Sequence, residues 1–118
     1  MKELEKVLQR VDEHYGEAET VTLKNGLRVE YAVHGADHAP EKILLIMGLI
    51  AEKVAWLPVV ATMLETHGEK CQLVSFDNRG IGGTDAPTAR YTTTQMALDA
   101  MELMDHLQWK SAHIVGIR

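Results

Sequence analysis

The sequence has little cysteine, and this absence excludes a disulfide-stapled protein. Its single cysteine, Cys71, cannot form an internal disulfide. The residue lies in an apolar run, where a buried thiol behaves as a small hydrophobic side chain. We therefore expect a reducing compartment and predict a cytoplasmic protein.

Basic residues are outnumbered and scattered, and long apolar runs are absent. Twelve Lys and Arg stand against seventeen Asp and Glu, for a formal net charge of -5. Because nucleic acids and anionic membranes attract clustered Lys and Arg, we predict no nucleic-acid partner and no membrane partner. No stretch has the length and hydrophobicity of a membrane-spanning helix, and the opening MKELEK lacks the apolar core of a secretory signal.

The composition that remains is typical of one soluble globular domain. Hydrophobic residues make up 46% and charged residues 25% of the 118 residues, which is an ordinary balance for a folded chain. A chain of this size buries roughly two-thirds of the surface that it exposes when unfolded. A hydrophobic core can therefore form without disulfides or metal.

Two spacing patterns open the chain. Residues 1–14 carry apolar side chains at helical spacing, which predicts a peripheral amphipathic helix that ends by Gly16. Residues 21–31 then alternate apolar and polar around Asn25-Gly26, which predicts a β-hairpin whose two turn residues both take positive φ. We treat 1–16 as a peripheral helix and 17–118 as a partial domain.

Three short apolar runs follow, at 43–47, 71–76 and 112–117. Continuous apolar strands need cover on both faces, so the helical stretches between them predict an α/β fold with a mostly parallel sheet and crossover helices. One crossover helix covers 56–67. The second begins at Thr92, which forms a capping box with Gln95, and its predicted buried stripe is Met96, Ala97, Ala100, Met101, Met104 and Leu107.

In such sheets ligands bind beyond the carboxyl ends of the parallel strands, so the informative loops begin at Gly48, Asp77 and Gly116. Gly48 lacks a side chain and would let a backbone N–H approach an anion. From spacing alone, a plain strand-to-helix turn is the interpretation that we favour for this glycine.

The segment DNRGIGGTD, residues 77–85, is the densest motif. We interpret it as a structural loop in which Asp77 and Asp85 accept local backbone N–H bonds and Arg79 pairs with one of them. Its bends are made by Gly80, Gly82 and Gly83.

A phosphate cradle is the alternative interpretation of this glycine-rich segment. The spacing is not GxGxxG, and Pro87 blocks the immediate helix that would point at a pyrophosphate. We therefore predict no cofactor. The six histidines have no partners at metal-ligand spacing, so we also predict no metal site.

Taken in order, these pieces resemble the front half of an α/β-hydrolase of the AB hydrolase-1 type. The resemblance runs from Glu17 to the last residue through a hairpin, a strand ending in glycine, DxRGxGxTD, YTxxxMAxD and AHIVGI. It implies a serine hydrolase acting on an ester, lactone or similar small-molecule acyl substrate. It also implies an oxyanion hole at Gly48 and Leu49, with the Leu49 N–H as donor.

The same resemblance places the family's nucleophile elbow, GxSxG, at Gly116, Ile117 and Arg118, so arginine stands where the family has serine. A guanidinium is always protonated near neutral pH and cannot act as a nucleophile. The family's acid and histidine follow later in its chain order. We therefore expect an N-terminal portion or truncated variant that is inactive as this chain.

Two other functions stay open at this stage. Strand 112–117 would be central in the full fold, and here its open edge could pair with another polypeptide, which describes a non-catalytic interaction module. We accordingly expect self-association or a partner strand. A nucleotide-binding domain is the third alternative, and NAD titration with Trp56 and Trp109 fluorescence tests it.

Overall fold

The computed structural model describes residues 2–48, 50–88 and 91–117. In these residues the chain forms α1 (Lys2–Tyr15), β1 (Glu19–Thr22), β2 (Arg28–His34), β3 (Glu41–Ile46), a short 3-10 helix (Lys53–Trp56), α2 (Leu57–His67), β4 (Cys71–Phe76), α3 (Thr93–His106) and β5 (His113–Gly116). None of the helices in these ranges has both the length and the hydrophobicity needed to cross a bilayer.

The five strands form one mixed sheet in the order β1-β2-β4-β3-β5. β3 is parallel to both β4 and β5, whereas β2 is antiparallel to both β1 and β4. The three apolar runs are the three parallel strands, as their two-sided hydrophobicity predicts. The predicted α/β class, with an antiparallel hairpin leading into a parallel sheet, is confirmed.

The turn between β1 and β2 differs from the predicted one. Gly26 has a φ of 90°, but Asn25 does not share the left-handed conformation. The Asn25 side chain instead accepts the Leu27 N–H at 2.9 Å, and Gly26 N–H donates to the Leu23 carbonyl at 2.9 Å. A single glycine therefore makes the left-handed step, because the asparagine side chain supplies the remaining turn bond.

Alternate strand residues pack into two cores, one on each face of the sheet. The α3 face buries a cluster that includes Leu44, Val74, Phe76 and Leu103. The α2 face buries a cluster that includes Leu45, Trp56, Val60 and Leu73. Each such side chain contributes about 1.5 to 3 kcal/mol when it leaves water, so both helices are held mainly by this packing.

Helix α3 begins as predicted but is rotated relative to the predicted stripe. Thr92 Oγ1 accepts the Gln95 N–H at 3.0 Å, which is the expected cap. Leu103 is fully buried, whereas Met101 is 61% exposed, so the predicted inward position of Met101 is wrong. The rotation follows from Asp99, a buried carboxylate whose partners lie in the loops below the helix.

Helix α1 has no buried residue and packs through its last turn. Leu4 and Leu8 are 53% and 59% exposed, so its first two turns carry an uncovered apolar stripe. Tyr15 Oη donates to the Lys53 carbonyl at 3.0 Å, which ties the end of the helix to the segment after β3.

Candidate functional site

The carboxyl ends of β4, β3 and β5 lie side by side. Ile46 is the register partner of both Phe76 and Gly116, and the Ile117 N–H donates to the Ile46 carbonyl at 3.2 Å. Residues that follow these strands therefore meet at one edge of the sheet. The structure thus brings together the three loops that the sequence singled out.

Asn78 fixes the end of β3. Its Nδ2 donates to the Met47 carbonyl at 2.8 Å, and the residue is buried. A buried side-chain amide without this acceptor would leave an unpaired donor, so the bond joins the two strand ends firmly. Gly48 follows Met47 directly and is half-buried at this edge.

The Asp77 carboxylate is a hub for three hydrogen bonds. Its Oδ1 accepts the Lys53 backbone N–H at 2.7 Å, while its Oδ2 accepts the Lys53 ammonium at 3.0 Å and the Gly83 N–H at 3.1 Å. The side chain is fully buried. A buried carboxylate is retained only where donors surround it, and here those donors come from two different loops.

Lys53 balances the buried charge. Its ammonium bridges Asp77 and Glu30, and the lysine is itself buried. Burial works to lower the pKa of Lys53, but the hydrogen bonds and charges of Glu30 and Asp77 outweigh burial and hold that pKa above its ordinary value. The cation is therefore permanently present at neutral pH.

Ile50, two residues after Gly48, has the left-handed φ of 72°. That conformation is strained for a β-branched side chain, and Ile50 is 87% exposed, so burial of the side chain does not compensate. Strain of this kind concentrates at functional sites, where backbone N–H direction matters more than local stability. The segment after β3 therefore has the features of a backbone-donor loop.

The glycine loop packs directly against this segment. Gly82 has a φ of 50°, and a Cβ there would overlap Asp77 Oδ2 and stand 2.9 Å from Glu52 Oε1. Thr84 continues the contact, since its Oγ1 donates to the Asp77 carbonyl at 2.7 Å. Asp77 accepts the local Gly83 N–H as predicted, whereas the Asp85 side chain accepts the Arg28 N–H at 2.9 Å, from a residue 57 positions away.

Arg79 does not pair with Asp77 or Asp85, and that prediction is wrong. Its guanidinium makes two bonds to Asp99, at 2.7 Å and 2.9 Å. Burial works against the ionised form of Asp99, but the hydrogen bonds from Arg79 and its other donors outweigh burial and keep its pKa below the usual value. The bidentate geometry explains the choice of partner, because it satisfies both charges at once.

The elbow residues lie partly outside the described chain. Gly116 ends β5 beside Ile46, and Ile117 is 54% exposed. Leu49 and Arg118, the predicted oxyanion donor and the elbow arginine, lie outside the described residues.

Sequence reasoning missed Lys53, Glu30 and Asn78. Lys53 is separated from Glu30 by 23 residues and from Asp77 by 24, so no local spacing links them. The available signal was weak: Asn78 follows an apolar strand within a motif already identified, at the edge where ligands bind.

The chain is similar in sequence to proteins that are named as hydrolases. The putative carbamate hydrolase RutD of Caulobacter segnis is 34% identical over 89 residues, which are 73% of this chain and 32% of the relative. RutD of Caulobacter vibrioides is 33% identical over 100 residues, or 82% of this chain and 35% of the relative. The chain thus spans about a third of the length of the curated relatives it matches. No protein-family model matches the chain.

A solved structure shows the fold that the chain shares with a known enzyme. The enol-lactonase of Burkholderia xenovorans LB400 superposes with a TM-score of 0.76 and 28% identity, over 84% of this chain and 36% of that chain. The shared part is the α/β sheet with its crossover helices, which is the front part of a larger enzyme fold.

Proposed function

Because the chain belongs to the α/β-hydrolase family and carries the front part of its fold, we propose that it forms the oxyanion side of a serine hydrolase for ester, lactone or similar acyl substrates. The observation that carries the proposal is the position of Gly48 at the carboxyl edge of the sheet. It follows Met47, whose carbonyl is bonded to Asn78, and it lies two residues before the strained Ile50. Relatives named as a carbamate hydrolase and an enol-lactonase support an acyl substrate.

In the proposed mechanism, a serine at the elbow attacks the substrate carbonyl while a histidine removes its proton. The negative charge that develops on the carbonyl oxygen requires backbone donors held in advance. We assign one such donor to the Leu49 N–H, with Gly48 leaving space for the substrate. The support is the anchoring of the residues on either side, at Met47 and at Lys53.

The proposal includes inactivity of the chain as it stands. Arg118 occupies the place of the nucleophile after Gly116-Ile117. Its guanidinium has no attackable hydroxyl and stays protonated, so nucleophilic catalysis has no starting group there. A cytoplasmic location belongs to the same proposal, since the buried thiol of Cys71 is free.

A hybrid enzyme tests the function. Residues 17–118 replace the corresponding front segment of the Caulobacter vibrioides relative, with position 118 either left as arginine or changed by Arg118→Ser. We expect the Arg118→Ser hybrid to hydrolyse p-nitrophenyl acetate and the arginine hybrid to remain at the uncatalysed rate. A folded Arg118→Ser hybrid without turnover contradicts the proposal, and turnover by the purified 118-residue chain contradicts its inactivity.

A non-catalytic interaction module is the second candidate. Among the described residues, β5 pairs with β3 alone, and its side chains Ile114 and Val115 are 54% and 42% exposed. An exposed apolar edge strand offers unpaired backbone groups to another chain. A stable stoichiometric complex through β5 would support this function.

A further inference from the structure

The segment between β3 and α2 is held at both ends by two consecutive residues of one other loop. Asn78 holds the Met47 carbonyl before the segment, and Asp77 holds the Lys53 N–H after it. Between these two points lies Ile50, whose φ of 72° is strained for a β-branched residue. Contacts from a different loop therefore hold the described residues on both sides of this strained position.

The Asp77 carboxylate makes the stronger of these contacts. It accepts the Lys53 backbone N–H and the Lys53 ammonium together, so one residue is held at two atoms. Hydrogen bonds to a charged group contribute about twice as much as neutral ones. A buried carboxylate without a partner cation would be costly, so the negative charge of Asp77 explains why the Lys53 ammonium is buried beside it.

Gly82 keeps Asp77 close to the segment. Its missing side chain lets Asp77 Oδ2 and Glu52 Oε1 approach the glycine loop, and a Cβ would overlap the carboxylate. The Gly83 N–H then donates to the same carboxylate oxygen at 3.1 Å. The motif DNRGIGGTD thus delivers a carboxylate into the neighbouring loop in addition to forming its own turn.

We propose that Asp77 is a positioning residue that, through the Lys53 N–H, sets the backbone direction of Ile50 to Glu52. The role of these residues in catalysis rests on the proposed function. The hydrogen bond from the Lys53 N–H to Asp77 is independent of that function and can be measured in the isolated chain.

The test is NMR-detected amide hydrogen exchange on the full 118-residue chain, comparing the unaltered protein with Asp77→Asn and Asp85→Asn. We expect Asp77→Asn to speed exchange at Lys53 by about tenfold, because the Lys53 N–H then donates to a neutral amide oxygen in place of a carboxylate. The amide signals of Gly48 and Ile50 should shift, while those of Leu44 and Leu103 on the opposite face stay in place.

Asp85→Asn is the matched control, since it makes the same chemical change in the same loop. It weakens only the bond to the Arg28 N–H and should leave the segment unaltered. The proposal is overturned if Asp77→Asn leaves Lys53 exchange unchanged, if Asp85→Asn gives the same local change, or if exchange rises equally at all amides. The last result is what a merely structural role produces.

A second measurement covers a failure of Asp77→Asn to fold. In the unaltered chain, the Lys53 amide nitrogen and the Asp77 carboxyl carbon should show a scalar coupling across their hydrogen bond, and the Lys53 N–H should be protected. If the coupling is absent, or if the Lys53 amide is unprotected, the proposal that Asp77 positions this segment is overturned. None of these measurements requires turnover. An inactive hybrid enzyme would therefore contradict the proposed function and leave the proposal about Asp77 standing.

Discussion

The His34 imidazole Nε2 lies 2.9 Å from the Ser75 hydroxyl, in a buried contact between β2 and β4. The Tyr15 ring packs edge-on against this imidazole at 5.0 Å between centroids, and the His14 ring lies 6.2 Å away. Burial, with a smaller contribution from His14, lowers the pKa of His34 to about 4. The last turn of α1 therefore rests on a neutral histidine.

We predict that acid destabilises the fold through His34. The unfolded chain binds the proton with a pKa near 6.5, whereas the folded chain does so near 4. The free energy of unfolding is therefore unaffected by His34 above pH 6.5. It falls as pH drops towards 4, by at most about 3 kcal/mol, because the unfolded chain binds the proton more readily. Urea unfolding at a series of pH values measures it, and His34→Gln should flatten the profile in this window.

His38→Gln is the control for this prediction, because His38 is exposed in the loop after β2. It should leave the pH profile as in the unaltered chain. A profile that keeps its full slope in His34→Gln would assign the acid sensitivity to other groups.

Arg79→Lys should destabilise the domain by about 1 to 3 kcal/mol, measured by urea unfolding. Lysine keeps the charge but cannot make the two parallel bonds to Asp99 that the guanidinium makes. Arg10→Lys on exposed α1 is the control and should change the free energy of unfolding little. Equal effects of the two changes would show that the bidentate pair adds nothing to stability.

Gly82→Ala should cost more than Gly26→Ala, by roughly 1 to 3 kcal/mol in the free energy of unfolding. Both glycines have positive φ, so both alanines are strained in the backbone. A Cβ at Gly82 overlaps Asp77, whereas a Cβ at Gly26 meets nothing within 4 Å. Thermal or urea unfolding of the two variants isolates the steric contribution at Gly82. Equal losses in the free energy of unfolding would refute the prediction.

We predict that the chain self-associates through β5. The Ile117 N–H points at β3, so by strand alternation the Val115 N–H points inward and the N–H groups of Ile114 and Gly116 point to the open edge. Ile114→Pro removes one outward donor without losing a bond to β3, and should shift the chain towards monomer. Size-exclusion chromatography with light scattering measures the change.

Ile114→Ala is the matched control for the edge, since it loses the same side chain but keeps the N–H. It should remain more associated than Ile114→Pro. A monomeric unaltered chain with a sharp, reversible melt would end the prediction.

The strands and the N-terminal cap of α3 could be predicted because their signals are local. Cys71 to Phe76 is a continuous apolar run, and the structure has a strand with these bounds. Thr92 with Gln95 predicts a helix start from two residues only three apart, and the predicted cap bond is present. Short-range chemistry of this kind needs no knowledge of the rest of the chain.

The ion-pair partners could not be predicted, because each one is chosen by the tertiary structure. Arg79 has Asp77 and Asp85 nearby in sequence, yet it binds Asp99 on α3, 20 residues away. Asp77 is already occupied by Lys53, and Asp85 by the Arg28 N–H. The rotation of α3 follows from the same choice, since Asp99 must face inward to receive Arg79.

The hub around Asp77 has a consequence for synthesis on the ribosome. Asp77 and the residues bonded to it or to Lys53, namely Glu30, Lys53, Gly83 and Thr84, all precede α3 and β5 in the chain. A nascent polypeptide can therefore close this network once residue 84 has left the exit tunnel, while the last strand is still inside the ribosome. The junction between the loops can thus form first, and the segments that emerge afterwards assemble onto it.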